Sequence, residues 1–98
     1  MSAEIKVTVE FFGNSRLITG CESVDLAFTN PPGANATDIV RQLGMLFPGL
    51  GGKVLELNQN RLLGSYVFNL NGKGFSDHRE LDLKNGDSLL ILPSQAGG

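Results

Sequence analysis

Tryptophan is absent from this chain of 98 residues, and cysteine, histidine and tyrosine occur once each. A single cysteine, Cys21, excludes an internal disulfide and fits a reducing compartment. One cysteine and one histidine cannot make an ordinary zinc site. Cys21 and His78 lie far apart in sequence, so a nucleophile–base pair would need the fold to unite them. The plainer reading puts Cys21 in a loop or strand start and His78 in the polar turn Ser76-Asp77-His78-Arg79-Glu80. Basic charge is also scarce. A net charge of −2 and a pI near 5.2 argue against a nucleic-acid binder and suit a basic protein partner better. No apolar run approaches the roughly 20 residues that span a bilayer, so no membrane role is expected. Met1-Ser2-Ala3-Glu4 lacks the basic and apolar regions of a secretory signal, which makes the cytoplasm the expected location. Gly49, Gly51 and Gly52 resemble a phosphate loop only loosely, with no leading strand and no GxxxxGK[ST] spacing. Asp82 and Asp87 flank an Asn-Gly turn and read as turn acids rather than a catalytic pair. An enzyme is not expected.

What is present is patterning. A hydrophobic content of 41% with 18% charged residues describes one globular domain over residues 1–98. A chain this size buries somewhat more than about 60% of its unfolded surface. From Glu4 to Phe12, Ile5, Val7, Val9 and Phe11 alternate with Lys6, Thr8 and Glu10, the period of a strand with one face on a core. Gly13-Asn14-Ser15 and Gly20 read as turns, with Leu17 and Ile18 folding back to the core between them. Val24, Leu26 and Phe28 alternate again, predicting a second strand antiparallel to the first. Asn30-Pro31-Pro32-Gly33 breaks the sheet.

Asn35 caps a predicted helix over about Ala36–Phe47, with Asp38 in its first turn. Its apolar stripe is Ile39, Leu43, Leu46, Phe47 and Leu50, widened by Val40, while Arg41 and Gln42 look solvated. Gly51 to Ser65 scatters its apolar residues and predicts only a short element and a loop. Tyr66 to Leu70 reads as a strand entering a hairpin at Asn71-Gly72, with a short return near Gly74-Phe75. A second Asn-Gly turn at Asn85-Gly86 leads into a final strand, Ser88–Leu92. Its uninterrupted apolar run predicts a central place in the sheet with both faces covered. The sum is a compact α+β domain with one main helix across a curled sheet.

The chain closes on Pro93-Ser94-Gln95-Ala96-Gly97-Gly98 directly after that strand. Gly-Gly has no side chain and admits backbone angles closed to other residues. Such a tail can thread a narrow channel, and the five residues beyond Pro93 extend about 17 Å. Residues 93–98 are therefore expected to form a flexible arm launched from the core.

Ile5-Lys6-Val7, the Ala36-to-Leu43 helix start, Asn71-Gly72, Asn85-Gly86-Asp87 and the closing Ile91-Leu92-Pro93…Ala96-Gly97-Gly98 resemble the ubiquitin-like sulfur-carrier family. Within it, they are most like the small subunit of molybdopterin synthase. The resemblance covers most of the chain. Ser94-Gln95 departs from the proline and small apolar residue common in the family, and Gly51–Ser65 runs longer than in compact members.

The resemblance implies a β-grasp (ubiquitin-like) fold, with the strand around Val7 parallel to that around Ile91. It also implies a non-catalytic carrier with no bound cofactor or metal. A partner enzyme would use ATP and Mg to convert the Gly98 carboxylate to an acyl-adenylate, and sulfur from a persulfide enzyme would leave a thiocarboxylate there. That sulfur would pass to the large subunit of molybdopterin synthase or another sulfur-accepting enzyme. Cysteine, thiazole and tRNA-thiolation pathways are alternatives within the fold, and conjugation of Gly98 to protein lysines is an alternative use of it. Gly97, Ala96 and Pro93 would form the tail. An apolar sheet face beside it would dock partners, assigned to Leu90 and Leu92, with Leu89 and Ile91 facing the helix.

Overall fold

The computed structural model describes residues 3–30, 33–56, 58, 61–72, 75–76 and 83–94. Strand β1 (Ala3–Phe11) buries the residues its alternation selects, Ile5, Val7, Val9 and Phe11. It pairs antiparallel with β2 (Ser23–Asn30) in unbroken register from Ala3↔Asn30 to Glu10↔Ser23.

Between these strands stands a short helix, α1 (Asn14–Thr19), where only turns were expected. Ser15 Oγ accepts from the Phe12 amide and donates to the Phe12 carbonyl, and Gly20 closes the helix at φ 71°. Winding the segment into a helix separates the two apolar residues. Ile18 packs against the core while Leu17 points out, 81% exposed, so the expectation that both fold inward fails for Leu17.

Helix α2 (Ala36–Leu46) starts where predicted. The Asn35 side chain accepts from the Asp38 amide at 3.0 Å, and Asp38 Oδ2 accepts from the Asn35 amide at 3.1 Å, a reciprocal capping box. Asn35→Ala is expected to cost about 1 kcal/mol. In a domain of this size that lowers Tm by roughly 4–8 °C, which thermal denaturation followed by circular dichroism would measure.

Ala36, Ile39, Val40 and Leu43 form the buried face of α2. Leu46 does not continue that face. The helix ends there, and Phe47 turns inward to meet Phe11 edge-to-face, centroids 5.6 Å apart, leaving Leu46 54% exposed. Gln42 is not simply solvated either, since its Nε2 donates to the Ala27 carbonyl and ties α2 to β2. A 3₁₀ turn (Pro48–Leu50) buries Leu50 and packs beside α1. The stretch after it forms a minimal hairpin, β3 (Leu55–Glu56) with β4 (Arg61–Leu62), seated on the core through Leu55 and Leu62.

Strand β5 (Tyr66–Leu70) enters the predicted hairpin. Asn71 (φ 56°) and Gly72 (φ 72°) both take positive φ, which is why Asn-Gly is selected, and β6 (Phe75–Ser76) returns. Strand β7 (Ser88–Pro93) pairs parallel with β1 and antiparallel with β5. The sheet order is β2-β1-β7-β5-β6, so β7 is central. This is the mixed sheet and single main helix of a β-grasp fold.

One expectation about β7 changes. Its burial alternates, with Leu89 and Ile91 fully buried and Leu90 and Leu92 only half-buried, so one face is covered and the other is partly open. The reason is the layer count. Helix α2 covers the face that carries Val7, Val9 and Phe68, and Leu90 and Leu92 point the opposite way.

Candidate functional site

Strand β7 runs in register to its end, with Pro93 opposite Tyr66, and the Ser94 amide then donates to the Ser65 carbonyl at 2.7 Å. The sheet therefore holds the backbone up to Ser94, so the expectation that the arm begins at Pro93 fails for Pro93 and Ser94, which the ladder to β5 and the bond to Ser65 hold. Pro93 itself is exposed. Ala96, Gly97 and Gly98 lie outside the described residues, as do His78 and Asp82.

The outer face of the sheet at this end is built by strand parity. Leu92 stands opposite Val67, and Leu90 opposite Asn69 on one side and Glu10 on the other. Phe11 is buried against the core, and Phe12, the first residue past β1, is 37% exposed. Because β1 and β7 run parallel, Phe12 lies at the end of the sheet from which the tail leaves. The register thus places Leu90, Leu92 and Val67 on one face at the base of the tail, with Phe12 exposed at the same end of the sheet. Sequence reasoning singled out the two leucines. It passed over Val67, whose parity follows from Phe68 being inward, and Phe12, whose exposure past the end of β1 has no periodic signal.

Other residues weighed for chemistry are separated from this face or engaged elsewhere. Cys21 is a free, half-buried thiol after α1, with Sγ 3.5 Å from the Thr19 carbonyl. Asp87 is a turn acid as expected. It accepts from the Lys84 amide at 2.8 Å and from Asn71 Nδ2 at 3.1 Å, while Asn71 Oδ1 accepts from the Ser88 amide at 2.7 Å. These bonds clasp the two Asn-Gly turns together at the far end of β7. Among the described residues, no group of three His, Cys, Asp or Glu side chains could hold a metal ion. What the face can do is dock an apolar surface and hold the following residues in front of it.

No protein-family model and no curated protein matches the chain by sequence. Solved structures match it closely in shape. Small archaeal modifier protein 1 from Methanosarcina acetivorans is 26% identical with a TM-score of 0.75, over 98% of this chain and 99% of that one. A chain of the BexX/CysO complex from Amycolatopsis orientalis is 28% identical with a TM-score of 0.67, over 94% and 99%. A chain from the complex of subunits 1 and 2 of molybdopterin-converting factor from Helicobacter pylori is 26% identical with a TM-score of 0.55, over 96% and 100%. These neighbours bear out the resemblance to ubiquitin-like sulfur carriers and the β-grasp fold it implies. They are small carrier and modifier proteins, and two of the three were solved in complexes.

Proposed function

We propose that this chain is a sulfur carrier whose Gly98 carboxylate is activated by a partner enzyme and converted to a thiocarboxylate. The observation that carries the reading is the seating of β7. A central strand, hydrogen-bonded on both sides and continued by the Ser94–Ser65 bond, delivers Ala96-Gly97-Gly98 from a fixed point beside an apolar face. A carboxylate resists nucleophiles because of its charge and because oxide leaves poorly. Attack of a Gly98 oxygen on the α-phosphorus of ATP, bound with Mg by the partner, would expel pyrophosphate and give an acyl-adenylate. A persulfide sulfur would then displace AMP, and cleavage of the S–S bond by a thiol would leave the thiocarboxylate. In this scheme the carrier contributes no acid or base, only Gly98, the arm that follows the sheet-held Pro93 and Ser94, and the docking face with Leu90 and Leu92.

The sulfur acceptor we favour is the large subunit of molybdopterin synthase, by analogy with the converting-factor neighbour. A second reading has an observation of its own. The archaeal modifier protein is similar at a TM-score of 0.75 against 0.55, which favours conjugation of Gly98 to protein lysines as a parallel use of the same activated glycine.

The test is the intact mass of the protein from its native host. A species ending at Gly98 and about 16 Da heavier than the carboxylate form, with oxidation of Cys21 and the methionines excluded by reduction and fragmentation, is the expected result. Isopeptide-linked adducts through Gly98 without any thiocarboxylate would favour the modifier reading. A processed terminus that lacks Gly98 would end both.

A further inference from the structure

The row of side chains behind the apolar contact is polar and uncompensated. Glu10 and Asn69 flank Leu90 on the outer face, one strand away on either side. Glu10 is half-buried, and no hydrogen bond or ion pair engages its carboxylate among the described residues. Asn69 is 8% exposed, and among the described residues its buried Oδ1 has no donor. Two neighbouring acidic groups are already engaged: Asp25 accepts from Thr8 Oγ1 at 2.7 Å, and Glu22 pairs with Arg16.

Docking makes this row consequential. Adjacent strands stand about 4.8 Å apart, so a partner surface that covers Leu90 also strips water from the carboxylate beside it. A desolvated, unpaired carboxylate is far more costly than the apolar contact is favourable. Binding through Leu90 is therefore sustained only if the partner brings a cation to Glu10. The chain's net charge of −2 adds attraction of the same sign at longer range. Asn69 adds a second requirement. Its oxygen makes no bond among the described residues, so turning it toward an incoming N–H breaks none of theirs.

We infer that the protein docking on this face carries an arginine or lysine beside its apolar contact, paired with Glu10, and a hydrogen-bond donor that meets Asn69. The inference rests on the carrier reading and names the partner chemistry that reading needs. The polar row sets which partners fit, because an equally apolar surface without the cation would bury a naked charge.

The experiment is ATP–pyrophosphate exchange by the adenylating enzyme of the same organism, titrated with the full chain at low and high salt. Glu10→Lys is expected to raise KM for the carrier at least tenfold with kcat unchanged, since the residue touches no reacting atom. Glu10→Gln should raise KM several-fold and remove most of the loss of binding that salt causes in the wild type. Asn69→Leu should raise KM about fivefold while the free protein melts no lower, because a buried unpaired acceptor has been removed. Thermal melts of all three variants confirm folding. Wild-type exchange with unchanged KM and salt dependence in Glu10→Lys overturns this inference and leaves the carrier reading standing. A wild-type chain that supports no exchange overturns the carrier reading, and the inference with it.

Discussion

A single alanine appended after Gly98 is expected to silence ATP–pyrophosphate exchange altogether. The addition scarcely changes charge or surface, and the described sheet bonds that fix the tail's origin, up to Ser94, are separated from the change by four residues. Folding and docking should therefore survive. What moves is the carboxylate, by about 3.5 Å along its channel, with a methyl group placed next to it. Acyl activation needs the reacting atoms within about 3–3.5 Å in a defined orientation, so a displacement of that size removes the reaction instead of slowing it. Deletion of Gly97 and Gly98 is the matching control. It too should give no exchange, with Tm nearly unchanged, because a terminal arm contributes few buried contacts. Exchange by the extended chain at the wild-type rate would mean that the terminal carboxylate is not the substrate. A large loss of Tm on deletion would mean that the tail packs on its own domain.

The strands and main helix that carry this tail were legible because their signals are local. Alternation in β1 and β2, the Asn35–Asp38 cap and the Asn71-Gly72 turn each fix geometry within a few residues. Helix α1 was missed because Gly13-Asn14-Ser15 carries turn chemistry, and the Ser15 hydroxyl that stabilises the helix bonds back to Phe12 in a way no periodicity reveals. The β3–β4 hairpin offers only two residue pairs, too few to show a period. The parallel pairing of β1 with β7 was legible, but its register was not. Ile91 lies opposite Phe11, several residues beyond Val7, because the second Asn-Gly turn docks on Lys6. Its amide bonds Asn85 Oδ1 at 2.9 Å and its carbonyl accepts from Gly86. That contact spans 79 positions in sequence and has no local signature. The docking face suffers the same blindness. Leu90 and Leu92 stand out as apolar, whereas Glu10, Val67 and Asn69 join them only once three strands are laid side by side.

Two neighbouring substitutions in β7 should have opposite consequences. Ile91 is fully buried opposite Phe68 and Phe11, whereas Leu92 is half-buried opposite Val67 on the outer face. Ile91→Asp places an unpaired carboxylate in the core and removes a large apolar side chain, a combined cost of several kcal/mol. Small domains hold only about 5–15 kcal/mol, so this variant is expected to be unfolded or to melt tens of degrees lower. Leu92→Asp keeps its carboxylate in contact with water in the free protein, so the fold should persist with a modest drop in Tm. Its penalty falls on association, where an apolar partner surface would have to cover the charge. Binding to the adenylating enzyme should weaken about a hundredfold or more, as does loss of a central apolar anchor in an interface. Circular dichroism and calorimetric titration of the two variants separate the roles. A Leu92→Asp protein that unfolds like Ile91→Asp would place Leu92 in the core. One that folds and still binds with wild-type affinity would move the docking surface away from this face.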